Sequence, residues 1–525
     1  MMLLAPLAGA RASDARLPDH IATFVEARTA DAVGDQARAA RLFAALSRRD
    51  PSNGELARRA VTTAIEAGDS DLAVSIARTT APAALGLDGR LLLVADALRR
   101  GRSNDALALI NESTADSDGG FLAPLLRGWA EQQARIDGSV RLANISSDSL
   151  LAPFAAEQRA AMLLQQKRGA DAAPLIEQAL QTAGGRETRL RLGFAALLAK
   201  SGERERAQAL LTGDDPALKL LDLKRPQKGV AIDTPAAGLS ELLVGISLGL
   251  ARSEDRSLPL GLAQIARHAA PDNSEANVAT ALFLERRGRR ADALAVLGKV
   301  PADDPLVEDA LDASARLLLE EKRGPEALVL AQRSTARGDA SAGAWARLGN
   351  VLDDLDRHGE AAAAFVRAGD LADRAGSADR WTYRLFAAAQ FDKMKRWPEA
   401  RAQLDLGLKI SPDEPLLLNY LGYNSIERGE IGVAGTSGLF ERGDAFAQVV
   451  ERVMELMRLQ QESGIPIKVR LCDTMGFGLP WPEAATVAGI SIDKTPPAIV
   501  GSRSPAATSL WRRRIHSRCV TVSLR

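Results

Sequence analysis

Small residues recur along this chain at a fixed interval, each opening an apolar stretch of helical spacing. Ala293, Ala327 and Ala361 stand 34 residues apart. Ala39 and Ala73 keep the same interval, Ala106 follows after 33, and Ala173 and Ala207 again differ by 34. Val140 fills the slot between Ala106 and Ala173, and Ala400 follows Ala361 by 39, which predicts one lengthened helix or connection. A sustained period near 34 predicts a solenoid of helix-turn-helix units, with each small residue placed where two helices cross. Between Ala207 and Ala293 lie a Pro/Lys-rich loop at Lys224–Lys228 and room for one degenerate unit near Leu239–Ala269. The period yields about eleven units. In such an array each unit touches only its neighbours, so loss of one end is expected to leave the other folded.

The sharpest unit shows the plan. Trp345, Leu348, Gly349 and Leu352 form one helical stripe, and Ala361, Phe365 and Ala368 form the next. Arg357-His358-Gly359 separates them, with Gly359 expected to take the positive backbone angle that ends a helix. Phe391, Ala400, Leu404 and Pro412 repeat the scheme, and Gly68, Gly101, Gly169, Gly202, Gly288 and Gly324 punctuate the other units. These residues resemble the tetratricopeptide repeat family, whose pattern runs Trp, Leu-Gly, an aromatic, Ala, an aromatic, Ala, Pro. The match is closest in 342–412, good in 18–52 and 274–340, and looser elsewhere. The resemblance implies an all-α solenoid over 18–430 whose first helices line a concave groove for a peptide or protein partner. Asn350, just after Leu348-Gly349, and Asn424, two positions after Leu421-Gly422, are the candidate clamps for a peptide backbone. An amide serves because it both donates and accepts. Arg316 fills the corresponding slot one unit earlier and is a candidate for an acidic partner. The run of Lys and Asn in consecutive repeats that marks carboxylate-clamping members is not found.

The pattern then stops. Leu416, Leu417, Leu421 and Gly422 begin a further first helix, yet the alanine due near 434 falls in the Gly-rich stretch Ile431–Gly438. Ala445–Gln461 reads as a new amphipathic helix, and Ile467–Cys472 as a strand ended by Asp473-Thr474-Met475-Gly476. The segment 440–485 resembles a fragment of the isopropylmalate and homocitrate synthase family of metal-dependent TIM barrels. That resemblance supplies the alternative function, an acyl-CoA-dependent carboxylic acid synthase with the repeats as targeting apparatus. However, the fragment is about one αβ unit of eight, and one unit cannot close a barrel. The family's His-x-His and Arg-Asp pair have no counterpart, so no catalysis, cofactor or metal is expected, and Asp473 reads as a turn former. Residues 486–525 show no periodicity and are expected to be disordered. The coding sequence reads as joined or shifted near 431 and 486.

Composition agrees with the repeat reading. Hydrophobic residues make up 46% and aromatics only 4%, so the core is expected to be Ala and Leu at close crossings. The 67 basic and 67 acidic residues cancel, which argues against nucleic acid as partner. Arg512–Arg514, with Arg518 and Arg525, reads as a solvated tail. Cys472 and Cys519 lie outside the repeats without metal or disulfide spacing, and His20, His268, His358 and His516 are scattered. Phosphate-loop, dinucleotide and nucleophile-elbow motifs are missing from the repeats. Residues 1–17 carry a short apolar run, Leu3–Ala8, then Ala8-Gly9-Ala10 and Ala10-Arg11-Ala12. They read as a clipped export signal, which implies the periplasm or cell envelope, the cytoplasm being the alternative. No run reaches the ~18–20 apolar residues of a membrane span.

Overall fold

The computed structural model describes residues 19–428, apart from 112–119, 147–148, 150, 214, 253–256 and 337–339, together with three later strands. Contacts divide the chain into two compact units, Met1–Gly407 and Leu408–Arg525.

The first stretch is built of helix pairs. They begin with α1–α2 (Asp19–Ala32, Gln36–Arg49), α3–α4 (Gly54–Ala67, Ser70–Ala77) and α5–α6 (Leu87–Arg99, Ser103–Asn111). Next come α7–α8 (Ala123–Gln133, Ser139–Leu142), α9–α10 (Ala152–Gln165, Gly169–Thr182) and α11–α12 (Glu187–Ser201, Arg204–Leu210). A short helix α13 (Pro216–Leu220) precedes α14–α15 (Pro235–Gly249, Ser257–Ala269) and α16–α17 (Ser274–Arg286, Arg290–Leu297). The series closes with α18–α19 (Val307–Glu320, Gly324–Thr335), α20–α21 (Ala342–Asp354, His358–Ala375) and α22–α23 (Trp381–Lys393, Trp397–Ile410). The degenerate unit expected near Leu239–Ala269 is the α14–α15 pair. The 39-residue interval is explained by α21, which runs for 18 residues.

Each turn follows one recipe. Ala39, Ala73, Ala106, Ala207, Ala293, Ala327, Ala361 and Ala400 are all 0% exposed on their second helices. Five residues ahead of these rungs stands a left-handed residue: Gly34, Gly68, Gly101, Gly202 or Gly288, or, without glycine, Lys322, Asp356 or Lys395. The next amide closes the helix end, as Arg357 N does on Leu352 O at 2.8 Å. The positive angle therefore belongs to Asp356, not Gly359, which already lies inside α21. Four residues ahead of the rung an arginine pairs with an acid three residues on: Arg289–Asp292, Arg323–Glu326, Arg357–Glu360 and Arg396–Glu399. An acid in the first turn also suits the helix dipole. This is the helix-turn-helix repeat expected from the period.

Two rungs differ from the sequence reading. Val140 is 59% exposed and Ala173 is exposed, whereas Ser139 and Ala172 are buried. The intervals are thus 33, 33 and 35 across Ala106, Ser139, Ala172 and Ala207. Neighbouring alanines at 172 and 173 leave the rung ambiguous by one residue. Burial resolves it because one position turns by about 100° per residue.

The expectation of neighbour-only contacts also requires correction. α15 packs on α3, α4 and α5, and α14 on α5, α7 and α9. One apolar core consequently runs from Ala27 to Leu317, and a second gathers α18–α22.

In the other unit, α24 (Pro415–Glu427) is followed by β1 (Lys468–Cys472), β2 (Ser491–Asp493) and β3 (Cys519–Ser523). They form an antiparallel sheet of order β1-β3-β2. β1 is the strand expected at Ile467–Cys472, and its register sets Cys472 opposite Cys519. β2 and β3 fall within 486–525, where no period is read, because pairing with a distant strand leaves no local repeat. The Gly-rich stretch, the helix expected at Ala445–Gln461, Asp473 and residues 1–17 lie outside the described residues.

Candidate binding groove

The first helices of α3 to α11 turn one face away from their own second helices, and the chain fills that face with α14–α16. The sequence of α14 shows why it sits inside. It is apolar all round, with Glu241 its only charge, and such a helix must be covered on every side. Trp129 of α7 is fully buried and donates from Nε1 to Gln158 Oε1 at 2.8 Å. A Cβ on Gly238 of α14 would stand 2.1 Å from the Trp129 ring, so only glycine permits this approach.

Charge fixes the same contact. Arg186, ahead of α11, meets Glu157 of α9 at 3.0 Å, Glu241 at 3.0 Å and Glu275 of α16 at 2.9 Å. Arg189 pairs with Glu241 as well, and Asn273 Nδ2 donates to Glu241 Oε1 at 2.8 Å. Three carboxylates thus face two guanidinium groups. Burial pushes Glu157 up to about 7; Arg186 opposes the shift, while Glu241 and Glu275 add to it. Protonated Glu157 leaves the cluster balanced. Farther along, His268 of α15 lies 3.3 Å from Asp96 of α5. Burial works against the Asp96 carboxylate, but Arg100 and Arg78 outweigh it and hold its pKa low. Arg287 bonds Glu66 of α3 at 3.2 Å, and Arg289 donates to the Glu66 carbonyl at 2.6 Å.

Between α13 and α14 the chain crosses α9 and α11 as a 3-10 turn, Lys228–Val230, and then runs on to α14 with Ala231 and Thr234 extended. Arg189 Nη1 donates to Val230 O at 3.0 Å, and Gln165 Nε2 donates to Ile232 O at 2.7 Å and Thr234 O at 3.2 Å. Val230 and Ile232 are buried while Asp233 is exposed. Sequence reasoning placed only an irregular loop here. The legible signal was the solitary charge of α14.

The sequence-derived candidates divide. Arg316 is held by Glu285 of α16 and Glu320 of its own helix α18. Asn350 is half-buried on α20. Asn424 takes the register of Val351 rather than of Asn350, since Tyr423 is the residue directly after Leu421-Gly422. It is buried, donating to Tyr420 O at 3.0 Å and accepting from Arg428 Nη1 at 2.9 Å. On α18 Asp309 is exposed, and Asp312 and Glu308 bind the buried Arg347 of α20. Among the described residues, no group of three or more His, Cys, Asp or Glu is placed to hold a metal, and no helix is long and apolar enough to cross a membrane.

No family model matches the chain. A stretch of 49 residues is 45% identical to a citrate (Re)-synthase of Syntrophus aciditrophicus (strain SB), covering 9% of this chain and 8% of that protein. A stretch of 40 residues is 50% identical to a citrate (Re)-synthase of Clostridium kluyveri, covering 8% and 9%. The chain thus spans under a tenth of the length of these curated relatives. Among solved structures, yeast Tom70 is 10% identical, with 81% of this chain and 99% of that chain covered and a TM-score of 0.31. The Cut9-Hcn1 hetero-tetramer is 12% identical over 82% and 94%, also at 0.31. YrrB, described as a TPR protein with an unusual peptide-binding site, is 17% identical over 34% and 89%, at 0.25.

Proposed function

We propose that the repeat array is a non-catalytic protein-interaction scaffold. It binds an extended partner segment along the first-helix face of α18, α20 and α22. One observation carries this reading: on α9 and α11 the same face already holds an irregular backbone segment, gripped through the Val230 and Ile232 carbonyls by groove side chains. Asn350 occupies the α20 position suited to the same task, and Asp309 and Asp312 favour a partner with basic side chains there. The α14–α16 helices fill the earlier part of the face, which leaves the later repeats for a partner.

A photo-crosslinking residue at 350 is expected to capture a partner from cell extract. The same residue at Val329, exposed on the second helix α19, should capture none. Adducts of equal yield from both positions would argue against the groove, and loss of the native partner on Asn350→Arg should accompany the expected result. An envelope location is part of the proposal. A reporter active only after export, fused behind residue 430 of the chain with its native start, should be active; an inactive fusion would place the scaffold in the cytoplasm.

A further inference from the structure

Most arginines of the repeats are matched to acids, but two cations where α15, α16 and α17 meet are not. Arg267, in the last turn of α15, donates from Nε to Asn277 Oδ1 of α16 at 2.9 Å and from Nη1 to Gln264 Oε1 at 2.6 Å. Both acceptors are buried neutral amides, and Asn277 is fixed by its own donation from Nδ2 to Asn273 O at 3.0 Å. Lys299 follows the end of α17 and is exposed. Asn277 and Lys299 each stand ten residues from the Arg287–Arg289 turn, so the α16–α17 hairpin brings them to the same end. Among the described residues neither Arg267 nor Lys299 forms an ion pair. We propose that Arg267 and Lys299 form a binding site for a phosphate-type oxyanion, which accepts hydrogen bonds from the guanidinium and the ammonium together.

Positive charge is left over at this corner. The two amides satisfy only part of the guanidinium fork, and its remaining N–H donors are open to an anion. Acids on the helices packed against α15 are committed elsewhere: Glu66 of α3 holds Arg287, Asp96 of α5 holds Arg78 and Arg100, and Glu275 of α16 holds Arg186. Helix ends offset part of the excess. The C-termini of α15 and α17 supply about half a negative charge each and the N-terminus of α16 about half a positive one, which leaves roughly +1.5. A phosphate group carries about −1.5 to −2 at pH 7, a closer match than a single carboxylate. Lys299 registers the imbalance, because Arg267 first and burial second hold its ammonium below the ordinary lysine range. A bound oxyanion relieves this repulsion without discharging either group, and the exposed lysine leaves the site open to solvent. The site is separate from the α18–α22 face, so failure of either proposal leaves the other standing.

The test is isothermal titration of the full chain with inorganic phosphate at pH 7, at matched ionic strength and low chloride. The native chain should show one saturable site, and Lys299→Ala, at an exposed position, should weaken it at least about tenfold. Arg267→Met should abolish it. A short phosphoserine peptide separates the two sources of the group. Tighter binding of the peptide than of inorganic phosphate supports the site and assigns it to a phosphorylated partner, and equal binding supports it as a site for the free ion. Absence of saturable binding by the native chain overturns the proposal, as does binding that Lys299→Ala leaves unchanged. Should Arg267→Met not fold, Lys299→Ala decides together with the native chain's own titration. In the native chain the Lys299 Cε resonance should titrate at higher pH with phosphate than without, and an unmoved midpoint overturns the site.

Discussion

At the helix crossings a single methyl group is all the space allows. Ala172 is 0% exposed, while its neighbour Ala173 faces solvent. Ala172→Leu should therefore cost roughly 1–3 kcal/mol by overpacking. Ala173→Leu should stay within about 0.5 kcal/mol of native. Urea unfolding of the two variants checks the register directly, since the period-34 reading assigns them the reverse roles. Ala327→Leu, on a rung where sequence and structure agree, should behave as Ala172→Leu does. The burial of Ala293 and Ala327 was legible because neither has an alanine beside it in the sequence. Ser139 was not, because a serine beside a valine carries no apolar signal.

At the scale of elements, the joint between α9, α11, α14 and α16 rests on charge as much as on apolar area. Removing one partner strands the others in a dry site, so Glu241→Ala should destabilise by about 3–5 kcal/mol. Glu157 makes the joint sensitive to pH. Its folded pKa of about 7 lies above the ordinary 4.5, so between these values the folded chain holds a proton that the unfolded chain has released. This contribution to stability is full below pH 4.5, falls as pH rises through 7 and is flat above. Glu157→Gln should flatten the decline in chemical-denaturation stability between pH 4.5 and about 7; a slope unchanged by the substitution would place the titrating group elsewhere. Individual helices were legible from their stripes. Which helices meet through Glu157, Glu241 and Glu275 was not, because residues 84 and 34 positions apart share no local pattern.

Across the whole repeat unit, contacts between distant positions replace the additive behaviour of an open solenoid. Asp96 and His268 are 172 residues apart, and Glu66 and Arg287 are 221 apart. Repeats α3–α9 and helices α14–α16 should therefore open together. Native-state hydrogen exchange should give amides in the middle of α5 and of α15 a common opening free energy. Separate values, with α5 protected after α15 has opened, would restore the one-dimensional picture. The α18–α22 core is distinct and should open independently.

What the sequence determined by itself was the repeat: its period, most of its small rungs, and its first and second helices. These are local properties, written within one turn of helix or one hairpin. The tertiary structure alone decided that the early groove is occupied, that Arg316 and Asn424 are engaged within the array or their own helix, and that the Val230 and Ile232 carbonyls are held by Arg189 and Gln165. A helical period specifies which face of each helix is apolar. It does not specify the cover of that face, because burial is non-directional and any sufficiently apolar segment can satisfy it. Only the assembled chain shows that α14–α16 supply the cover.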